Sequence, residues 1–157
     1  MAYSVSAFDH DLGDVVRRAW RHYGARPYDV ESNAPHTVPD LYRCAGERMG
    51  RLRIWFGGTA SAIYADPAVN LRFRAWHDNC HLANSQLGFT AESEILLGEW
   101  QRSLACSFGD LFARIVHCEI AGQAEFFALT GRFLVDQRSF TLDYLNRVEW
   151  REQLENY

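Results

Sequence analysis

The sequence predicts a mainly α-helical fold: a single-domain helical bundle of about five helices with one inserted β-hairpin. Two observations carry this prediction. Along most of the 157 residues, apolar side chains recur at spacings of three and four, the period of an amphipathic helix. At about residues 51–65 the pattern changes to two short β-rich runs around Gly57-Gly58. The length suits one domain, residues 1–157, with its own hydrophobic core.

The first half of the chain is predicted to alternate helices with irregular segments. A helix over residues 9–24 and a shorter one over 38–49 each end at a glycine. Between them, residues 25–39 contain three prolines and are predicted to form a loop. The β-hairpin, about 51–65, follows the second helix.

The second half reads as consecutive helices. Asp66-Pro67 is an N-cap followed by proline at the first helical position, and it opens a helix over 67–85. Thr90 caps the next helix, whose early acids Glu92 and Glu94 are explained by the helix dipole alone. Two further helices are predicted, from about Phe108 to Thr130 and after Asp136.

Composition narrows the function classes. The formal net charge is −4 and all 16 basic residues are arginine, so lysine-based catalysis is excluded. No dense basic cluster exists, so nucleic acid is not expected as a main partner. Neither an apolar run of membrane-spanning length nor a signal-peptide pattern is present, and we expect a cytoplasmic protein with no membrane partner. The four cysteines lack a CxxC pair and are expected to be free thiols.

The helix over 67–85 carries the strongest functional signal. Beside its apolar seam runs a polar stripe that contains Asn70, Arg74, His77 and His81. His77 and His81 are four residues apart, so both imidazoles lie on one helix face and can bind one ion. Asp78 lies three residues before His81 and can join them.

Two glutamates on the following helices have unusual positions. Glu99 and Glu119 fall within stripes of apolar residues, where a carboxylate is expected to be paired or to bind a metal. Imidazoles and carboxylates on neighbouring helices are the ligands that zinc, iron and manganese accept. We therefore expect a divalent metal (Mn, Fe or Zn) held by a subset of five residues: His77, Asp78, His81, Glu99 and Glu119. His36 is expected to be an ordinary surface histidine. His117 is expected either at the surface or in contact with the metal ligands rather than with the metal.

The segment Phe73-Arg74-Ala75-Trp76-His77-Asp78 resembles the His-Asp motif of the HD-domain phosphohydrolases, all-α proteins that cleave phosphoesters of nucleotides with one or two divalent metals. That resemblance implies that His77 and Asp78 are metal ligands and that Asp78 can bridge two ions. A partial likeness to ferritin-like di-iron carboxylate bundles accounts for Glu99 and Glu119, with Asp78-x-x-His81 as a variant of their Glu-x-x-His motif.

The leading prediction is a metal-dependent hydrolase that acts on a small phosphorylated or nucleotide-like substrate. Asp78 holds the metal in the reaction, and Arg74, one turn before His77, binds an anionic group of the substrate. One alternative keeps the same ligands in a di-iron-like, non-haem iron oxidoreductase. The other is a non-enzymatic helical interaction protein with a buried polar network. The chain is expected to fold alone or as a homo-oligomer.

Overall fold

The computed structural model describes residues 11–24, 26–57, 62–64 and 66–157, and these are mainly helical, as the sequence predicts. The helices are α1 Asp11–His22, α2 Val38–Glu47, α3 Pro67–Ala83, α4 Ala91–Ala105, α5 Asp110–His117, α6 Gln123–Thr130 and α7 Gln137–Leu145. The strands are β1 Tyr28–Glu31 and β2 Leu52–Trp55, and short 3₁₀ segments cover Cys106–Phe108 and Trp150–Asn156. The described residues contain more α-helices than the about five that the sequence predicts. One reason is that a π-helical segment, Cys118–Gly122, divides the long predicted helix into α5 and α6.

Where the sequence predicts a β-hairpin, the described residues form a parallel pair of strands. β2 does lie inside the predicted 51–65 region, but it pairs in parallel with β1, from Tyr28↔Leu52 to Glu31↔Trp55. Parallel neighbours need a crossover connection, and here α2 supplies it. Most of the second predicted strand, residues 58–61 and 65, lies outside the described residues.

The residues of β1 were predicted to belong to a loop. Two ion pairs join the strands instead: Arg51 Nη2 to Asp29 Oδ1 at 2.6 Å, and Arg53 Nε to Glu31 Oε2 at 2.7 Å. In the register each arginine is two positions from its partner, which places the two side chains diagonally on the same face of the sheet, so the charges favour this alignment of the two strands.

Trp76 fixes the rotation of α3 about its own axis. The Trp76 side chain is fully buried and stacks between Tyr23 and Phe112, with centroid distances of 6.0 Å to each ring. The apolar seam of α3 therefore faces α1 and α5. Because successive helical residues are about 100° apart, His77 turns away from that seam, toward α4.

α4 lies close to the π-helical segment at a glycine. A Cβ at Gly98 would lie 2.9 Å from both the Cβ and the backbone nitrogen of Ala121. Such an approach is possible only where one of the two helices lacks a side chain. This contact sets the distance between α4, which carries Glu94, and the segment that carries Glu119.

Candidate metal centre

The polar stripe of α3 is positioned by a well-capped helix start. The Asp66 side chain accepts a hydrogen bond from the Ala68 amide at 2.8 Å, and Pro67 opens the helix as predicted. On the buried side of the stripe, Asn70 is 3% exposed and His81 is fully buried. Polar groups at such positions need partners, and α4 supplies the most important one.

His77, His81 and Glu94 converge on one point. Nε2 of His77 lies 3.1 Å from Glu94 Oε2, and Nε2 of His81 lies 3.2 Å from Glu94 Oε1. The two Nε2 atoms are 3.2 Å apart. One ligand atom from each residue lies within 4.8 Å of the others, so the three could hold one metal ion.

The outer nitrogens of both imidazoles are already engaged. Nδ1 of His77 donates to the Gln101 side-chain oxygen at 3.0 Å, and Nδ1 of His81 donates to the Leu87 carbonyl oxygen at 3.2 Å. With its proton on Nδ1, a neutral imidazole presents a lone pair at Nε2. Two lone pairs and a carboxylate therefore face each other, and only a cation can sit among them: a metal ion or a proton.

The acid–base properties of the cluster agree with this need for positive charge. Burial alone would lower the pKa of His77, but the charge and hydrogen bond of Glu94 outweigh it and raise that pKa to about 9. Burial would likewise raise the pKa of Glu94, but His77 and His81 lower it to about 2. In the metal-free protein a proton on His77 occupies the place that a metal ion would take.

The cluster borders a cavity of about 420 Å³, which His77 and Glu94 line. Arg74 and Glu119 line the same cavity. Nη1 of Arg74 donates to the carbonyl oxygens of Trp55 at 2.8 Å and Gly57 at 2.7 Å, and these bonds hold the guanidinium in place. Among the described residues, no carboxylate forms a salt bridge with Arg74.

Glu119, from the π-helical segment, contributes a carboxylate to this cavity. Its Oε1 accepts a hydrogen bond from the Thr141 hydroxyl at 2.7 Å. Burial raises the pKa of Glu119 to about 7, although Thr141, Gln123 and Arg74 favour the ionised form. A carboxylate with that pKa can accept a proton near neutral pH.

The structure brings together only part of the predicted ligand set. His77 and His81 meet as predicted, and Glu119 lies across the cavity rather than among the converging atoms. Asp78, half-buried on α3, is not one of the three converging groups, and burial raises its pKa to about 7.

The placement of Glu99 on a buried stripe was wrong. Its side chain is 54% exposed and pairs with His117 Nε2 at 2.8 Å and Arg102 Nη1 at 3.5 Å. Leu96, one turn before Glu99, is also 54% exposed, so this side of α4 faces solvent and not the core. His117, bonded to Glu99 and to the Tyr144 hydroxyl, joins α4, α5 and α7. His36 is exposed, as expected.

Glu94 is the carboxylate that sequence reasoning missed. Its position in the first turn of α4 is fully explained by the helix dipole, so nothing local marks it as a ligand. One signal was available: only residues 84–90 connect α3 to α4. A short connection places the start of α4 beside the end of α3, where His81 lies.

Comparison with protein-family models, with characterised proteins and with solved structures gave no match. Within the described residues, no helix is both long and apolar enough to cross a membrane. The geometry of the cluster and its cavity is therefore the basis for the function proposed below.

Proposed function

We propose that this protein is a metal-dependent hydrolase that binds one divalent ion through His77, His81 and Glu94. Its substrate is a small anionic, phosphorylated molecule that occupies the adjoining cavity. The single observation that carries the proposal is the convergence of two Nε2 atoms and a carboxylate, each imidazole held by a hydrogen bond on its far side. Three protein ligands are the set that catalytic zinc sites use while leaving a position for water.

Each group around the cavity has a role in this reaction. A divalent ion held by His77, His81 and Glu94 would lower the pKa of a bound water molecule and so make it a nucleophile at neutral pH. Glu119 would accept the proton of that water as the water oxygen forms the new bond to phosphorus, and would return the proton to the alcohol oxygen that leaves when the ester P–O bond breaks. Arg74, a half-buried cation that lines the same cavity, stabilises the negative charge of the phosphoryl oxygens.

The test is hydrolysis of p-nitrophenyl phosphate and bis(p-nitrophenyl) phosphate by chelator-treated protein reloaded with zinc, manganese or iron(II). We expect activity with at least one ion, and a loss of about 100-fold or more in the variant Glu119→Gln, with metal content unchanged. The matched control is Glu125→Gln on α6, whose carboxylate pairs with Arg151 outside the cavity. Metal-loaded protein that hydrolyses neither ester would contradict the proposal.

A second candidate is a non-haem iron oxidoreductase. Two histidines and one carboxylate with open positions are also the ligand set of oxygen-dependent iron enzymes. Anaerobic loading with iron(II) followed by exposure to oxygen separates the candidates. Oxygen consumption above that of free iron, without ester hydrolysis, would favour the oxidoreductase.

The non-enzymatic alternative has its own support. When His77 is protonated, its Nε2–H can donate to the Glu94 carboxylate or to the lone pair of His81 Nε2, so the cluster can be a structural network. In that case His77→Ala with His81→Ala would lower stability, and neither the variant nor the wild type would bind a metal. If the wild type bound a metal and the double variant did not, this alternative would be excluded.

A further inference from the structure

The cavity beside the cluster is lined by polar side chains that are largely shielded from solvent and by exposed aromatic side chains, which we term its polar end and its aromatic end. Asn70, Arg74 and Glu94 belong to the polar end. Phe127 and Phe133 line the cavity as well, with ring centroids 4.8 Å apart and planes at 30°. These two rings are 38% and 81% exposed, so they form the side of the cavity that meets solvent.

At the polar end, a buried donor lacks an acceptor. Nδ2 of Asn70 has no hydrogen-bond partner among the described residues, although the side chain is only 3% exposed. The other side of the amide is fixed, because Oδ1 accepts from Arg74 Nε at 3.1 Å. A buried donor without a partner costs free energy, and an acceptor in the cavity would recover it.

The positive charge of Arg74, beside this donor, indicates that the acceptor is an anion. Arg74 is bound by the same amide, and its Nη1 contacts are two neutral carbonyl oxygens. An anionic oxygen can therefore accept from Asn70 Nδ2 and interact with the Arg74 charge at the same time. A neutral hydroxyl would satisfy the donor but would gain nothing from the Arg74 charge.

At the aromatic end, the exposed rings require a different partner. Phe133 lies in the connection between α6 and α7 and packs on Phe127 rather than into the core. An exposed pair of stacked rings at a cavity is a surface on which a planar ring can pack. The two ends together describe one ligand with an oxyanion and an aromatic ring.

We propose that the cavity binds a small aromatic oxyanion, an aryl carboxylate or an aryl phosphate. Its oxyanion accepts a hydrogen bond from Asn70 and lies against Arg74, and its ring packs on Phe127 and Phe133. This inference rests on the proposed function in taking the same cavity as the substrate site, and it adds the chemical class of that substrate.

The test is an NMR titration of the zinc-loaded and the chelator-treated protein with four probes: phenylphosphonate, whose P–C bond a phosphate-ester hydrolase does not cleave, benzoate, cyclohexanecarboxylate and inorganic phosphate. We expect phenylphosphonate to bind at least about fivefold more tightly than inorganic phosphate, or benzoate more tightly than cyclohexanecarboxylate by the same factor. The pair that shows the difference identifies phosphate or carboxylate as the natural oxyanion. Equal affinity within both pairs would overturn the proposal.

Two variants locate the binding. Phe133→Ala, at a solvent-exposed position, should remove the preference for the aromatic probe while leaving inorganic phosphate unaffected; Phe56→Ala, also exposed but outside the cavity, is the matched control. Asn70→Leu should weaken all anionic probes by about tenfold. Unchanged binding in Phe133→Ala would overturn the proposal even if Asn70→Leu fails to fold.

These outcomes differ from those that test the metal. If the protein binds zinc but does not distinguish the probes, the proposed function stands and this inference is contradicted. If the protein prefers aromatic oxyanions but takes up no metal, this inference stands and the hydrolase proposal is contradicted.

Discussion

At the scale of single residues, the function depends on which cation, a proton or a metal ion, lies among His77, His81 and Glu94. Glu94 is the decisive member, because it was not expected from the sequence and both imidazoles contact it. The same helix offers an internal control in Glu92, an exposed acid of the first turn with the same relation to the helix dipole.

We predict that Glu94→Gln lowers metal affinity by about 100-fold or more, because a charged ligand is replaced by a neutral amide. Glu92→Gln should leave affinity within about threefold of wild type. Glu99→Gln should also have little effect, since Glu99 is exposed and bound to His117. Competition with a zinc-sensitive dye measures all three. A large loss in Glu99→Gln would restore the ligand set expected from sequence.

The pKa of His77 predicts how pH and metal interact. This pKa is about 9 in the folded, metal-free protein and 6.5 in the unfolded chain, so its contribution to stability is complete below about pH 6.5. The contribution is lost as pH rises through about 9. A metal ion must displace this proton, so metal binding becomes more favourable over the same range.

The measurable quantity is the difference in melting temperature between zinc-loaded and chelator-treated protein. We predict that this difference grows from pH 6.5 to about pH 9 and then levels off. Groups distant from the cluster affect both forms equally and cancel in the difference. A difference that is constant or falls with rising pH would show that His77 does not release a proton to solvent when the metal binds.

At the scale of elements, the helices were predictable and their partners were not. Capping at Asp66 and Thr90 and the spacing of apolar residues identify α3 and α4 without any knowledge of tertiary structure. The sheet was mispredicted because β1 has only four residues and its partner lies beyond α2. A local pattern shows that a strand is favourable there, but it does not show which segment pairs with it.

The π-helical segment is a second feature that periodicity did not show. It interrupts what the sequence presents as one helix, and it carries Glu119 to the cavity. π-turns within helices occur often at functional sites, which agrees with this position. The close approach of Gly98 to Ala121 holds α4 against this segment.

That contact gives a prediction about packing. Gly98→Ala should lower the free energy of unfolding by about 1–3 kcal/mol, because the added Cβ would overlap Ala121. Gly46→Ala in α2 is the matched control: a Cβ there meets no atom within 4 Å, and we expect about 0.5–1 kcal/mol of stabilisation. Urea unfolding measures both. Equal effects of the two substitutions would contradict the close packing of α4 on Ala121.

At the scale of the whole molecule, two of the three residues in the candidate metal centre were predictable. The spacing of His77 and His81 places both imidazoles on one helix face wherever α3 packs. The third ligand depends on how α4 is oriented against α3, and that orientation follows from Trp76 in the core and from the short connection over 84–90. Hydrophobic periodicity predicts that Trp76 is buried, but it does not fix the angle between two helices.

A metal that binds His77, His81 and Glu94 would join α3 to α4 and stabilise the entire fold. At a free metal concentration of about 100 times Kd, the added stability is about 2.7 kcal/mol. For a chain of this length, that corresponds to a rise of about 5–10 °C in Tm. Differential scanning calorimetry with and without zinc gives the value, and calcium, which prefers all-oxygen ligands, is the control ion.

The measurement that tests the central claim most directly is elemental analysis of untagged protein, purified without chelator, for wild type and for the double variant His77→Ala, His81→Ala. We predict close to one equivalent of a transition metal in the wild type and none in the variant, with the circular dichroism spectra of both remaining helical. Wild-type protein that contains no metal, and that takes up none of zinc, manganese or iron(II) when they are added, would contradict the claim and leave the cluster as a structural ion pair.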